Sequence, residues 1–159
     1  METGPVDKQK LEPRLQLVAW EITRSCNLFC DHCRASALQG PYANEFSTEE
    51  CFKLVDDILE VGKPILILTG GEPLLRKDIF EVAEYASAKG LRVVMGTNGT
   101  LITEETAVKM KAASVARIGV GLDFPTAEME DKFRGHKGAF DAAVEGIKNA
   151  RRAGIGHTR

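Results

Sequence analysis

Long apolar runs are missing from this 159-residue chain. No stretch reaches the roughly 18–20 apolar residues that would span a bilayer. The N-terminal segment, Met1 to Pro13, lacks the apolar core of a signal peptide and reads as a loose polar leader. Charge of one sign is missing too. With 23 acidic against 21 basic residues the net charge is −2, which removes the electrostatic case for nucleic acid or an anionic membrane as partner. Cysteine is sparse, at four residues, and Cys26, Cys30 and Cys33 stand together on one short segment. Clustered cysteines in a chain without a targeting signal exclude a disulfide framework. They point to metal binding in a reducing cytoplasm.

What is present is ordinary globular composition, 43% hydrophobic and 28% charged, in a chain long enough to bury a core. From Leu15 onward short apolar runs alternate with amphipathic stretches. Leu17 to Ile22 predicts a first strand. Ser47-Thr48-Glu49-Glu50 has the capping-box form and starts a helix with Phe52, Val55 and Leu59 on one face, stopped by Gly62-Lys63-Pro64. Ile65 to Thr69 is a continuous aliphatic run of the kind buried on both faces. A helix with Ile79, Val82, Ala83 and Ala86 ends at Gly90, and Leu91 to Met95 follows as a strand. Another helix starts near Thr103, Val115 to Leu122 predicts the fourth strand, and a last helix over 139–152 is expected to bury Phe140, Ala143, Val144 and Ile147. This is an α/β pattern of parallel strands with helical crossovers. A doubly wound sheet and part of a (β/α) barrel both fit it. In either, the loops at the carboxyl ends of the strands form the working face. Those loops carry the cysteines, Gly70-Gly71-Glu72-Pro73, Thr97-Asn98-Gly99 and Asp123.

The cysteine loop reads Cys26-Asn27-Leu28-Phe29-Cys30-Asp31-His32-Cys33, a C-x3-C-x2-C spacing. Three thiolates on one tight loop can hold three irons of a cubane and leave the fourth iron open. Ordinary ferredoxin clusters use four cysteines, and an open coordination position is where substrate or cofactor binds in metal enzymes. A structural zinc site is the plainer alternative, with His32 or a distant residue as fourth ligand. Zinc modules present a second ligand pair farther along, and the remaining cysteine, Cys51, is single and sits in an amphipathic helix as a small buried hydrophobe.

Cys26, Cys30 and Cys33, with the aromatic His32 before the last cysteine, resemble the signature of radical SAM enzymes. Thr69-Gly70-Gly71-Glu72-Pro73 looks like their GGEP motif, after the second strand. The resemblance runs from about Leu15 to Ile155. It implies a parallel (β/α) partial barrel of the TIM type, a [4Fe-4S] cluster and S-adenosylmethionine as cofactors, and cleavage of the latter to a 5′-deoxyadenosyl radical. It also implies that Gly70, Gly71 and Glu72, with Pro73 closing the motif, receive the amino group of S-adenosylmethionine, and that His32 lies near the adenine. Asn98 would contact the ribose or the methionine carboxylate, although its turn also reads as a plain strand-end turn. Asp123 would take a ribose hydroxyl. Arg134, in Phe133-Arg134-Gly135, is either a surface arginine or the partner of the methionine carboxylate.

The fourth strand departs from close relatives, which read like I-S-V-S-L-D-G-P. Ile118-Gly119-Val120-Gly121-Leu122-Asp123-Phe124-Pro125 puts glycine where a serine would help hold the cofactor. The barrel is expected to stop after about four βα units, with residues 1–14 a flexible leader and 15–159 a core domain incomplete at its C-terminal end. A fragment, a truncated product or half of an assembly is expected, with strand four an exposed edge prone to self-association. The wording Leu17 to Asn27, Cys33-Arg34-Ala35-Ser36-Ala37 and Gly138-Ala139-Phe140 is most similar to the tetrapyrrole-modifying branch of the family, the alternative heme and heme d1 biosynthesis enzymes. A tetrapyrrole substrate and a ferredoxin or flavodoxin electron donor follow from that resemblance. Peptide-maturing members share much of the pattern, and a cluster-binding module without catalysis is the other alternative.

Overall fold

A computed structural model describes residues 14–158, so almost all of the expected leader lies outside the described residues. Five strands run in the order β1 (Leu17–Thr23), β2 (Ile65–Gly70), β3 (Arg92–Thr97), β4 (Arg117–Val120) and β5 (Gly156–Thr158). Every pairing is parallel. The crossovers are helices: α1 (Thr48–Val61), α2 (Ile79–Ala88), α3 (Glu104–Ala112), and the pair α4 (Ala127–Arg134) and α5 (Ala139–Arg152). Ser47 caps α1 in a full capping box, its Oγ accepting from the Glu50 amide while the Glu50 carboxylate accepts from the Ser47 amide.

The helices cover one face of the sheet. Leu66, Leu68, Val93, Met95 and Ile118 point into a single core with Val55, Ile79, Val82 and Met110, and Cys51 is fully buried there. The opposite face is half-open. Ile65 is exposed, and Ile67, Thr69, Val94, Gly96 and Gly119 are only partly covered. The expectation that Ile65 to Thr69 is buried on both faces therefore fails, because only alternate residues meet helices. One-sided coverage is the geometry of a partial barrel rather than of a doubly wound sheet.

Two further corrections follow from packing. Helix α5 buries Ala139, Ala143, Gly146, Asn149 and Ala150, whereas Phe140, Val144 and Ile147 are only half-buried. Its small face sits so close to the β3 exit that a Cβ on Gly146 would lie 2.1 Å from the Gly99 carbonyl oxygen. Strand four is also not an open edge. The chain turns at Gly154 (φ +75°), buries Ile155, and lays β5 along β4 with Arg117 opposite Gly156 and Gly119 opposite Thr158. Helix α4 was not expected at all. It has few apolar residues, but its acids Glu128 and Glu130 in the first turn and bases Lys132 and Arg134 in the last match the helix dipole.

Candidate functional site

The carboxyl ends of the strands enclose a cavity of about 290 Å³. Cys26, Cys30 and Cys33 all line it, together with His32, Gly70, Gly71, Asn98 and Arg134. Among the described residues no three His, Cys, Asp or Glu side chains converge closely enough to hold one metal ion. All three sulfurs reach one cavity from a single loop, a donor set that fits three irons of a cubane with the fourth left open.

The cysteine loop is held from two sides. Its Phe29 and Asp31 amides donate to the Arg134 and Phe133 carbonyls at 3.0 Å each, so the end of α4 acts as its anchor. Gly135, which ends α4 at φ +62°, is required by this contact: a Cβ there would lie 2.6 Å from the Phe29 carbonyl oxygen. On the other side the Gly71 amide donates to the Thr23 carbonyl and the Glu72 amide to the Ser25 carbonyl, both at 2.8 Å. A Cβ on Gly71 would stand 2.3 Å from the Ser25 carbonyl oxygen. Gly70-Gly71 is thus a close backbone crossing onto the segment leading into Cys26.

Glu72 does not face the cavity. It is fully buried, its Oε1 accepting from the Leu74 amide (3.1 Å) and its Oε2 from the Asn98 amide (2.8 Å). The Thr97 hydroxyl bridges both oxygens at 2.8 and 2.9 Å. Burial pushes its carboxyl up to about 7 in spite of these donors. The carboxylate therefore ties the β2 exit to the β3 exit, and Pro73 behind it opens a short 3₁₀ turn over Pro73–Leu75. Neither side chain lines the cavity.

Asn98 lines the cavity with both ends of its amide engaged. Its Oδ1 accepts from the Thr100 amide (2.9 Å) and hydroxyl (2.7 Å). Its Nδ2 donates to Asn27 Oδ1 at 2.9 Å and lies 3.9 Å from Cys26 Sγ. Burial raises the Cys26 thiol, with only partial relief from the Leu28 amide.

Arg134 is buried, not a surface residue. Its Nε donates to Glu130 Oε1 at 2.7 Å, and its Nη2 to Asp123 Oδ2 at 2.6 Å and to the Gly121 carbonyl at 2.9 Å. Its Nη1 is aimed at Cys30 Sγ, 3.7 Å away. Burial would raise Glu130, but Arg134 and the Phe124 and Asp123 amides outweigh it and hold the carboxyl below its usual range. Glu130 escaped sequence reasoning; its i,i+4 spacing to Arg134 was the available signal. Gly121, where the family resemblance led us to expect serine, makes room for this guanidinium, since a Cβ there would sit 2.9 Å from Arg134 Nη2. Asp123 lies outside the cavity lining, spent on Arg134 and 4.0 Å from His32 Nε2. The His32 ring stacks on Phe133 with centroids 4.2 Å apart, and Phe124 meets Phe133 edge-on.

Residues 20–159 match the Radical SAM superfamily. The chain belongs to that superfamily. Members of that superfamily use a [4Fe-4S] cluster and S-adenosylmethionine, the pair that the resemblance implied. An AdoMet-dependent heme synthase of Nitratidesulfovibrio vulgaris is 51% identical over 96% of this chain and 41% of that protein. An Fe-coproporphyrin III synthase of Methanosarcina barkeri is 50% identical over 87% of this chain and 35% of that protein. The mycofactocin maturase MftC of Mycolicibacterium smegmatis is 37% identical over 87% of this chain and 35% of its own length. The chain thus spans well under half the length of these relatives. Among solved structures, native anSMEcpe with bound AdoMet superposes with a TM-score of 0.72 at 24% identity, covering 91% of this chain and 42% of that one. At that identity the likeness speaks for the fold, and it agrees with the one-sided sheet. No described helix is long and apolar enough to cross a membrane.

Proposed function

We propose that Cys26, Cys30 and Cys33 hold three irons of a [4Fe-4S] cluster, that S-adenosylmethionine occupies the adjoining cavity, and that the enzyme built on this core modifies a tetrapyrrole. The observation that carries the reading is the convergence of three sulfurs with the β2, β3 and β4 exits on one cavity. When bound, the cluster would supply the single electron for reductive cleavage of S-adenosylmethionine, the radical chemistry that the enzyme would turn on its substrate. The chain's own residues position and exclude. Backbone carbonyls at Gly70 and Gly71, which line the cavity, would receive the amino group, as glycine permits a close approach. The His32 ring, braced on Phe133, would lie beside the nucleoside end. Glu72 and Pro73 hold the loop from behind. The tetrapyrrole class is supported by relatives at about half identity that are named as heme and Fe-coproporphyrin synthases, against 37% for a peptide maturase. A ferredoxin or flavodoxin is the donor class that suits a one-electron step.

Anaerobic reconstitution followed by iron and sulfide analysis, electron paramagnetic resonance and a 5′-deoxyadenosine assay tests this. A cluster together with 5′-deoxyadenosine is expected. Cluster without product would leave a binding module, and zinc without iron would refute the reading. Cys30→Ala should lose the cluster, and an intact cluster in that variant would overturn the ligand set.

A further inference from the structure

Each of the three sulfurs meets a nitrogen donor, and the donors are of two kinds. The Leu28 amide reaches Cys26 Sγ at 3.5 Å and the Ala37 amide reaches Cys33 Sγ at 3.3 Å. These are backbone groups. Asn98 Nδ2 at Cys26 and Arg134 Nη1 at Cys30 are side chains, brought from 72 and 104 residues away. Both are locked by bonds that leave the sulfur-facing nitrogen where it is. Asn98 is clamped by Asn27 and Thr100, and Arg134 by Glu130, Asp123 and Gly121.

We propose that Asn98 and Arg134 tune the reduction potential of the cluster, acting on Cys26 and Cys30 as positioned donors. The inference rests on the cluster assignment above. Reduction adds one negative charge, which spreads onto the ligand sulfurs. An N–H pointing at a sulfur, and above all a buried cation, stabilises the reduced state more than the oxidised one. The potential rises and the cluster accepts its electron more readily. Burial keeps the Arg134 field from being screened by solvent. Glu130 and Asp123 work against it. Two carboxylates share one guanidinium, so the network carries a net negative charge that Arg134, together with the Asp123 and Phe124 amides on Glu130, offsets. Removing Arg134 therefore exposes the cluster to both acids, whereas removing Asp123 lightens the opposing charge.

The experiment is a redox titration of the anaerobically reconstituted chain without S-adenosylmethionine, followed by electron paramagnetic resonance, with iron and sulfide counted in each sample. Arg134→Gln should lower the reduced-to-oxidised ratio at fixed potential by about tenfold, or about 59 mV for one electron. Arg134→Lys keeps the charge and should retain most of the wild-type value. Asn98→Asp keeps the acceptor for Thr100 but turns an oxygen toward Cys26, and it should move the midpoint down. Asp123→Asn should move it up. Full cluster content with unchanged midpoints, or equal lowering by Arg134→Gln and Arg134→Lys, would overturn the proposal. If Arg134→Gln loses its cluster, Asn98→Asp and Asp123→Asn decide by the opposite signs they must show. Failure of the wild-type chain to take up iron would instead sink the cluster assignment.

Discussion

The buried carboxyl of Glu72 makes a quantitative prediction. Its ordinary value of 4.5 is pushed up to about 7 because burial outweighs the donors from Asn98, Leu74 and Thr97. The unfolded chain releases this proton near 4.5, while the folded chain keeps it until about 7. Below about 4.5 the group is neutral in both states and costs nothing. As pH rises through the window the folded state binds more protons than the unfolded one, so stability falls with pH. At about 1.4 kcal/mol per pH unit the loss reaches about 3 kcal/mol and then levels off. Glu72→Gln removes the titration while preserving shape. Any fixed cost of presenting an amide N–H to the Asn98 or Leu74 amide is independent of pH. The assay is urea unfolding of the cluster-free, reduced chain and the variant at several pH values from about 4.5 to about 8. The stability difference between the two should drift by about 3 kcal/mol in favour of the variant as pH rises. A difference that stays constant across the window would refute the argument. Thr97→Val, which deletes a donor to both oxygens, should carry the drift to higher pH.

Ser47→Ala should cost about 1 kcal/mol by opening the α1 capping box, read from the urea midpoint. Gly146→Ala lies in a helix, where alanine is normally better by about 1 kcal/mol, yet it should destabilise because its Cβ meets the Gly99 carbonyl; a rise in thermal midpoint would contradict the packing. Gly135→Ala should destabilise by about 1–3 kcal/mol through its positive φ and its clash with Phe29. The same variant should loosen the cysteine loop, measured as lower iron per chain after reconstitution.

Much of the fold was legible because its signals are local. The Ser47 capping box, the last helix over Ala139–Arg152 and the strands at Ile65 and Leu91 follow from caps, glycines and periodicity within a few residues. Helix α4 was missed because its cue was charge order rather than apolar period. The burial of α5 was misassigned because a helix with small and large apolar residues on adjacent faces does not say which face meets the sheet; the close approach at Gly146 decides for the small one. The pairing of the short β5 with β4 was missed, because its three residues carry no period of their own.

Sequence alone was enough for the cysteine spacing, the α/β alternation and the placement of four unusual loops at strand ends, since each is written in contiguous residues. Tertiary structure decided what those loops do to one another. Glu72 turns inward to bind Thr97 and Asn98, Asn98 spends its amide on Asn27 and Thr100, and Arg134 crosses to Cys30. The reason is physical: a hydrogen bond between loops depends on strand register and on how closely glycines let backbones approach, and neither quantity is encoded near the residues that make the bond.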